Sequence, residues 1–462
     1  MKKFSPVIDL SGYLKQIDYF VLSLILLGTF SVVIWGHFYK SQKKNDKNFI
    51  DYMLMGRKLT LPMFVATLVA TWYGGIFGVS EIAFESGLYN FLIQGIFWYL
   101  TYLIFAFFLV KPMRRYNAIT LPELAGQMFG PKSKIIAAFF NFFNVVPITY
   151  TISLGLLVKL MTGLDLFESC LLGVLFACAY SVIGGFRAVV LSDVLQFFVM
   201  CSAVFLVLVY SLFEFGFSFL TENLPSSHFH LTGKNSLLTT FSWGFIALST
   251  LVDPNFYQRC FAAKDTKTAQ NGIFIATGIW CLFYLCTTFG AMYAAAVIPQ
   301  AKATEAYLIY SLQLLPVGLR GFFLAGVIAT ILSTIDSYLF IAANTLTYDL
   351  APKKWKENLF ISKLGVLTTG FLSVVMALVF SGSIKDVWKT LGSYSAGYML
   401  LPMTIGYIKK DLISDKLFVF STMSSALGIT YWRWAKIDLF DDLYIGLIIS
   451  ALCILLGRKK FV

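Results

Sequence analysis

Apolar residues in this chain come in long unbroken blocks, separated by short polar stretches that are mostly basic. The blocks fall at about 17–38, 59–84, 89–110, 135–161, 165–183, 189–213, 237–252, 271–298, 319–348, 362–380, 386–406, 416–432 and 441–457. Roughly 20 residues of α-helix are needed to cross a hydrocarbon layer of about 30 Å. In lipid each backbone amide must be paired inside its own segment or within a closed barrel. Continuous apolar runs, unlike short alternating ones, select the helix. The pattern therefore predicts an all-α polytopic membrane protein with about 13 transmembrane helices in a single transmembrane domain spanning 1–462.

Composition sharpens this reading. Hydrophobic residues make up 58% of the 462 and charged ones only 13%, with a mean hydropathy of +0.76. That is too little charge to cover a water-soluble surface of this size. The first block, beginning near Asp18, has no small-residue cleavage site after it and reads as a retained helix rather than a leader. The net charge of +12 would suit nucleic acid, but basic residues also collect in cytoplasmic loops. Counted for an N-terminus outside, the inner loops hold 25 of the 36 Lys and Arg, which predicts an N-out, C-in orientation. Lys2 and Lys3 run against the rule, and the cluster from Lys40 to Lys58 outweighs them. The seven cysteines show neither disulfide nor zinc spacing.

No loop is long enough for a separate folded domain; the longest, about 214–236, has roughly twenty residues. Only three histidines occur (His37, His228 and His230), and none is grouped with Cys or acids as nucleophilic or metal chemistry requires. His228 and His230 are expected to be solvated in the outer loop. The chain reads as no enzyme, with no cofactor, no nucleic-acid partner and no obligate protein partner. Its business lies inside the bilayer.

Polar groups at bilayer depth are costly, so their positions carry the next inference. The second block contains Thr71-Trp72-Tyr73-Gly74-Gly75 and then Gly78, Ser80 and Glu81. Adjacent glycines disfavour helix and free carbonyls for other partners, as in the broken helices of transporters. The alternative is that these glycines let two helices pack closely. In the ninth block Thr330, Ser333, Thr334 and Ser337 lie at i, i+3, i+4 and i+7, a stripe of hydroxyls on one helical face. Neutral oxygens suit a monovalent cation that must later leave, while hydroxyls of this kind also bond back to their own helix. Asp336, off the stripe, must face protein or water. Asp193 and Asp253 read either as helix caps or as stops on a cation path. Glu81 and Glu85 are expected at the outer mouth.

At these residues the chain resembles the sodium:solute symporter family. The resemblance is carried by Tyr180-Ser181-Val182-Ile183-Gly184-Gly185-Phe186-Arg187-Ala188 with Leu191-Ser192-Asp193-Val194-Leu195-Gln196, by Asp253-Pro254, Tyr257-Gln258-Arg259 and Ala262-Ala263-Lys264, and by Leu332-Ser333-Thr334-Ile335-Asp336-Ser337. It implies an inverted five-helix repeat core of the LeuT-like kind. The units would be 59–213 and 237–406, with a preceding helix at 17–38 and two C-terminal helices within 416–457. It also implies sodium-coupled symport of a small organic solute across a cell membrane. Carried over residue by residue, the family's sodium site would use carbonyls of Ala70, Tyr73 and Thr330 with hydroxyls of Ser333 and Thr334. Asp193 would lie on the sodium exit path. Candidate solute contacts are Trp72, Gly74, Gly75, Ser249, Thr250, Tyr394 and Ser395. Trp72 departs from the polar residue usual in the family, and Thr330 from the usual Ala. Proton coupling through Glu81 or Asp253, or a sensor that binds solute without moving it, are the alternatives.

Overall fold

The computed structural model describes residues 4–7, 10–41, 49–182, 185–356, 358–437 and 441–457. Lys2, Lys3, Ile183, Gly184, the lysines within 42–48 and the C-terminal basic cluster lie outside the described residues. Helix covers each of the thirteen apolar blocks. Among the described residues, seven helices are long and apolar enough to cross a membrane.

In chain order the main helices are α1 (Gln16–Ser41), α2 (Leu61–Ala70), α3 (Ile76–Ser86), α4 (Tyr89–Tyr116), α5 (Pro131–Val145), α6 (Ile148–Thr162), α7 (Leu166–Ser181), α8 (Phe186–Phe215) and α9 (Leu237–Ile246). They continue as α10 (Pro254–Ala262), α11 (Thr266–Val297), α12 (Ala303–Leu314), α13 (Leu319–Asn344), α14 (Leu359–Val379), α15 (Ile384–Ile408), α16 (Asp415–Trp434) and α17 (Asp442–Gly457). Among the described residues no strand occurs; a single isolated bridge joins Leu59 to Ala263.

Three of the apolar blocks are interrupted, and each interruption has a local cause. The second block divides into α2 and α3 at Thr71–Gly75, where Gly74 and Gly75 weaken the helix. The fourth, expected as one span, divides into α5 and α6 at Val146–Pro147. Proline has no N–H to give and forces the preceding residue towards extended backbone, and Val146 has ψ of 124°. The seventh tightens from α9 into a 3₁₀ stretch, Ala247–Val252, before Asp253 and Pro254 start α10. Asp253 caps α10, accepting the amides of Asn255 at 2.8 Å and Phe256 at 3.3 Å.

The arrangement is built around α13. Every residue from Phe323 to Asn344 is buried, although the helix carries Thr330, Ser333, Thr334, Asp336 and Ser337. Its neighbours include α1, α8 and α14. The outer helices instead show large apolar side chains on their surfaces, among them Phe107, Phe213, Phe371 and Leu427, as lipid contact requires. The N-terminus of α13 is pinned by Asp18 of α1, whose Oδ1 accepts the amides of Gly318 at 2.7 Å and Gly321 at 3.3 Å. A Cβ at Gly321 would stand 2.1 Å from the Asp18 carbonyl oxygen. Gly321→Leu should therefore overpack this junction and cost about 1–3 kcal/mol, read as a lower melting temperature in detergent. An unchanged melting temperature would show that α1 is not seated against α13.

Candidate functional site

The break between α2 and α3 leaves the Ala70 carbonyl at the end of a helix, without the amide four residues on that would complete the ladder. Its partners come from α13. Ser333 Oγ donates to the Ala70 oxygen at 2.8 Å, and Thr334 Oγ1 reaches it at 3.3 Å. The same hydroxyls approach their own helix: Ser333 meets the Ala329 and Thr330 carbonyls at 2.8 and 3.2 Å, and Thr334 meets the Thr330 carbonyl at 3.0 Å. The stripe therefore bonds back to its own helix and also reaches across the break to Ala70. The Thr330 hydroxyl is turned away to the Gly326 carbonyl at 2.6 Å, so only its carbonyl joins the group.

Four oxygens thus converge: carbonyls of Ala70 and Thr330, hydroxyls of Ser333 and Thr334. Tyr73 lies three residues beyond Ala70 in the unwound turn, its ring wedged against Phe283 and Tyr284 with centroids 3.9 and 4.5 Å away. No hydrogen bond ties its carbonyl to the other four. Gly74 makes the convergence sterically possible. A Cβ there would meet Thr334 Cβ at 2.7 Å and Tyr150 Cδ1 at 2.6 Å. At Gly75 a Cβ would meet Trp388 Cζ2 at 2.2 Å. The glycines both break the helix and admit close neighbours.

One turn further along α13 the stripe meets a buried ion pair. Asp193 and Arg259 are both fully buried, with Nη2 3.5 Å from Oδ2. Arg259 Nη2 also donates to Ser337 Oγ at 2.8 Å and to Thr71 Oγ1. Thr67 Oγ1 donates to Asp193 Oδ2 at 2.5 Å. Asp193 sits in the second turn of α8, well past the first-turn amides, so the capping alternative fails for it and holds for Asp253. Arg259, quoted in the sequence only as part of a motif, is the cation of this cluster. Asp336 accepts from Ser181 and is buried, as its position off the stripe required.

Beside the oxygen cluster lies a cavity of about 100 Å³, bordered by the α2–α3 break on one side and the 3₁₀ stretch after α9 on the other. Of the expected solute contacts, Trp72, Gly75 and Ser249 line it. Gly74 stands behind, against Thr334. Thr250 is fully buried next to Ser249, and its hydroxyl has no hydrogen-bond partner. Tyr394 and Ser395 do not line the cavity. The face of α15 that does is Trp388, Leu391 and Gly392. Tyr394 points away from that face to Thr430, at 2.8 Å, and Ser395 is buried about one turn deeper. Residues that the sequence did not single out complete the wall: Gln94, Trp98, Asn144, Thr149, Tyr150, Trp243, Tyr284, Tyr338 and Trp388. The Pro147 break after Asn144 was the available signal for part of this set.

A wider vestibule of about 730 Å³, lined by charged residues including Asp386, Lys389, Arg433 and Asp441, shares Trp243 and Ile246 with the cavity. Near this end Lys385 pairs with Glu81 at 2.9 Å and Glu85 at 2.8 Å, so these acids are not merely solvated. His228 is buried, its Nε2 3.2 Å from the Phe84 carbonyl, contrary to the expectation of a solvated residue; His230 is exposed. Around the start of α2 and the end of α10 three hydrogen bonds tie the chain together. The Leu59 amide donates to the Ala262 carbonyl at 3.0 Å, the Lys264 amide to the Leu59 carbonyl at 3.0 Å, and Gln258 to the Met53 carbonyl at 2.5 Å.

Removing one partner of a buried ion pair leaves an uncompensated charge, at a cost of about 3–5 kcal/mol. Arg259→Gln should lower the melting temperature sharply, and adding Asp193→Asn should recover much of the loss. Equal melting temperatures for wild type and Arg259→Gln would mean that the pair carries no such charge.

Comparison with known proteins adds to this geometry. The sodium:solute symporter family pattern matches residues 52–403. The high-affinity proline transporter of Bacillus subtilis (strain 168) is 24% identical over 442 residues, covering 87% of this chain and 90% of that protein. The sodium/glucose cotransporter of Vibrio parahaemolyticus is 24% identical, covering 87% of this chain and 80% of its own length. The sodium/pantothenate symporter of Haemophilus influenzae is 27% identical over 57% of this chain and 59% of its own. Among solved structures, a substrate-bound, outward-open, sodium-coupled sialic acid symporter superposes with a TM-score of 0.80 at 16% identity, covering 97% of this chain and 98% of that one. At that identity the superposition establishes the fold.

Proposed function

This chain belongs to the sodium:solute symporter family, and from that premise we propose that it carries a small organic solute into the cell by sodium-coupled alternating access. The family consists of transporters, not enzymes, and solute symport with sodium is its shared property. The observation that carries the reading for this chain is the meeting of the Ala70 carbonyl with the Ser333 and Thr334 hydroxyls across the helix break.

Sodium is the coupling ion in this reading, held by carbonyls of Ala70, Tyr73 and Thr330 and hydroxyls of Ser333 and Thr334. When the ion binds, the hydroxyls turn their hydrogens to the carbonyls of their own helix and their lone pairs to the ion. Only hydrogens rotate, so the site is preorganised for a monovalent cation. An ion there bridges the end of α2 to α13. That contact favours one arrangement of the two units, 59–213 and 237–406, over the other. Solute binds in the adjoining cavity, against Trp72, Gly75 and Ser249 in the two broken segments. Because ion and solute favour the same arrangement, each raises the affinity of the other, typically by about 1–3 kcal/mol.

Thirteen crossings with the N-terminus outside put the charged vestibule on the outer side and the contacts of Leu59 with Ala262 and Lys264 on the cytoplasmic side. These contacts, read as cytoplasmic, support an outward-facing form. Release inward then requires those backbone contacts to part. Asp193 follows on the exit path, where its carboxylate passes the ion towards the cytoplasm as Arg259 shifts. An inward-negative potential assists by about 2.3 kcal/mol per charge per 100 mV.

Two outcomes test the assignment. Ser333→Ala with Thr334→Ala should raise the sodium concentration needed for half-maximal change in tryptophan fluorescence by at least tenfold, with the fold intact. An unchanged titration removes this ion site. Asp193→Asn should slow turnover in proteoliposomes more than it weakens sodium binding; equal losses would make Asp193 part of the binding site instead.

A further inference from the structure

The cavity wall has a chemistry that the symport reading does not explain. Four indoles border it, Trp72 and Trp98 from the first unit, Trp243 and Trp388 from the second, together with the phenol rings of Tyr150, Tyr284 and Tyr338. Trp72 and Trp98 meet edge to face with centroids 5.4 Å apart, which leaves two indole planes at a steep angle to each other. The only acid in the wall is Asp253, and no Lys, Arg or His lines it among the described residues. Asp253 is fixed as the α10 cap through Oδ1, and its second carboxylate oxygen makes no hydrogen bond among those described. It is 8% exposed, in a wall otherwise neutral.

From this wall we infer that the solute is an organic ammonium, quaternary or protonated, with a compact carbon body. The inference rests on the symport reading, because it takes this cavity as the solute site. Indole and phenol faces attract a cation through the ring quadrupole. A cage of such faces recognises methylated ammonium groups better than it does an uncharged group of the same shape. A solute whose recognised group is a carboxylate would meet Asp253 with no basic side chain on the wall to offset it.

The ammonium group occurs in cations such as choline and in zwitterions such as glycine betaine, and one experiment separates these sources. Binding to the purified full-length protein in sodium chloride is read by tryptophan fluorescence. The probes are choline, glycine betaine, 3,3-dimethyl-1-butanol (the uncharged isostere of choline) and glucose. Choline should bind at least tenfold more tightly than its isostere. Asp253→Asn, which keeps an equally good helix cap, should remove that preference. Trp98→Leu should weaken choline more than the isostere. Betaine binding as well as choline would assign the recognition to the ammonium group alone; betaine failing while choline binds would assign it to net positive charge. Equal affinity for choline and its isostere, or binding of glucose alone, overturns the inference. In that case an intact sodium titration leaves the symport reading standing. A protein silent to sodium with every probe overturns the symport reading first.

Discussion

A carbonyl oxygen left over at a helix end inside a membrane has to be given a partner, and here that constraint organises the molecule. α2 stops at Ala70 because Gly74 and Gly75 follow within five residues, and the freed carbonyl belongs to a buried residue. Ser333 and Thr334 supply the partners, which they can do only if α13 runs through the middle of the bundle with its hydroxyl stripe facing the break. The absence of a side chain at Gly74 lets the two segments approach that closely. The central position of α13, its anchoring by Asp18 and its complete burial all follow from the need to hold the stripe in register with α2. An arrangement that satisfies a carbonyl with hydroxyls in a dry interior is equally one that presents neutral oxygens to a small cation. In the proposed reading the structural solution and the ion chemistry share the same atoms.

The second break extends this logic across the molecule. The 3₁₀ stretch Ala247–Val252 borders the same cavity as the α2–α3 break, so the cavity is walled by both broken segments at once. The Ser333 and Thr334 hydroxyls join α2 to α13 through the Ala70 carbonyl. The Asp193–Arg259 pair does the same one turn away, linking α8 to α10 with Thr71 and Ser337 between them. Other buried polar contacts tie further helices together, such as Ser421 with Ser450 between α16 and α17.

Much of this was legible in the sequence, for a physical reason: local rules govern it. The helical blocks, the Gly74–Gly75 weakness and the Ser/Thr stripe are properties of neighbouring residues, and the family motifs add the partnership between Ala70 and Ser333. What could not be read depends on which helix faces come together. Trp98, Tyr150, Trp243 and Trp388 are spread over nearly three hundred residues, and each alone is indistinguishable from a lipid-facing or packing aromatic. Tyr394 lies outside the cavity wall through helical phase and Ser395 through depth, since the cavity sees Trp388, Leu391 and Gly392 of α15. Asp193 resembled a cap because it follows a glycine turn, yet Thr67 and Arg259, distant in sequence, decide its role. Arg259, from a separate motif, carried no polarity signal of its own in a segment that reads as a loop.

The most direct test of the central claim is the melting temperature of the purified wild-type protein in detergent with sodium chloride or with potassium chloride at equal ionic strength. A ligand that binds only the folded protein stabilises it in proportion to the logarithm of its concentration over its dissociation constant. A sodium-specific rise that grows with sodium concentration is the result predicted by an ion held between Ala70 and α13. Identical melting temperatures in the two salts across the titration would contradict it.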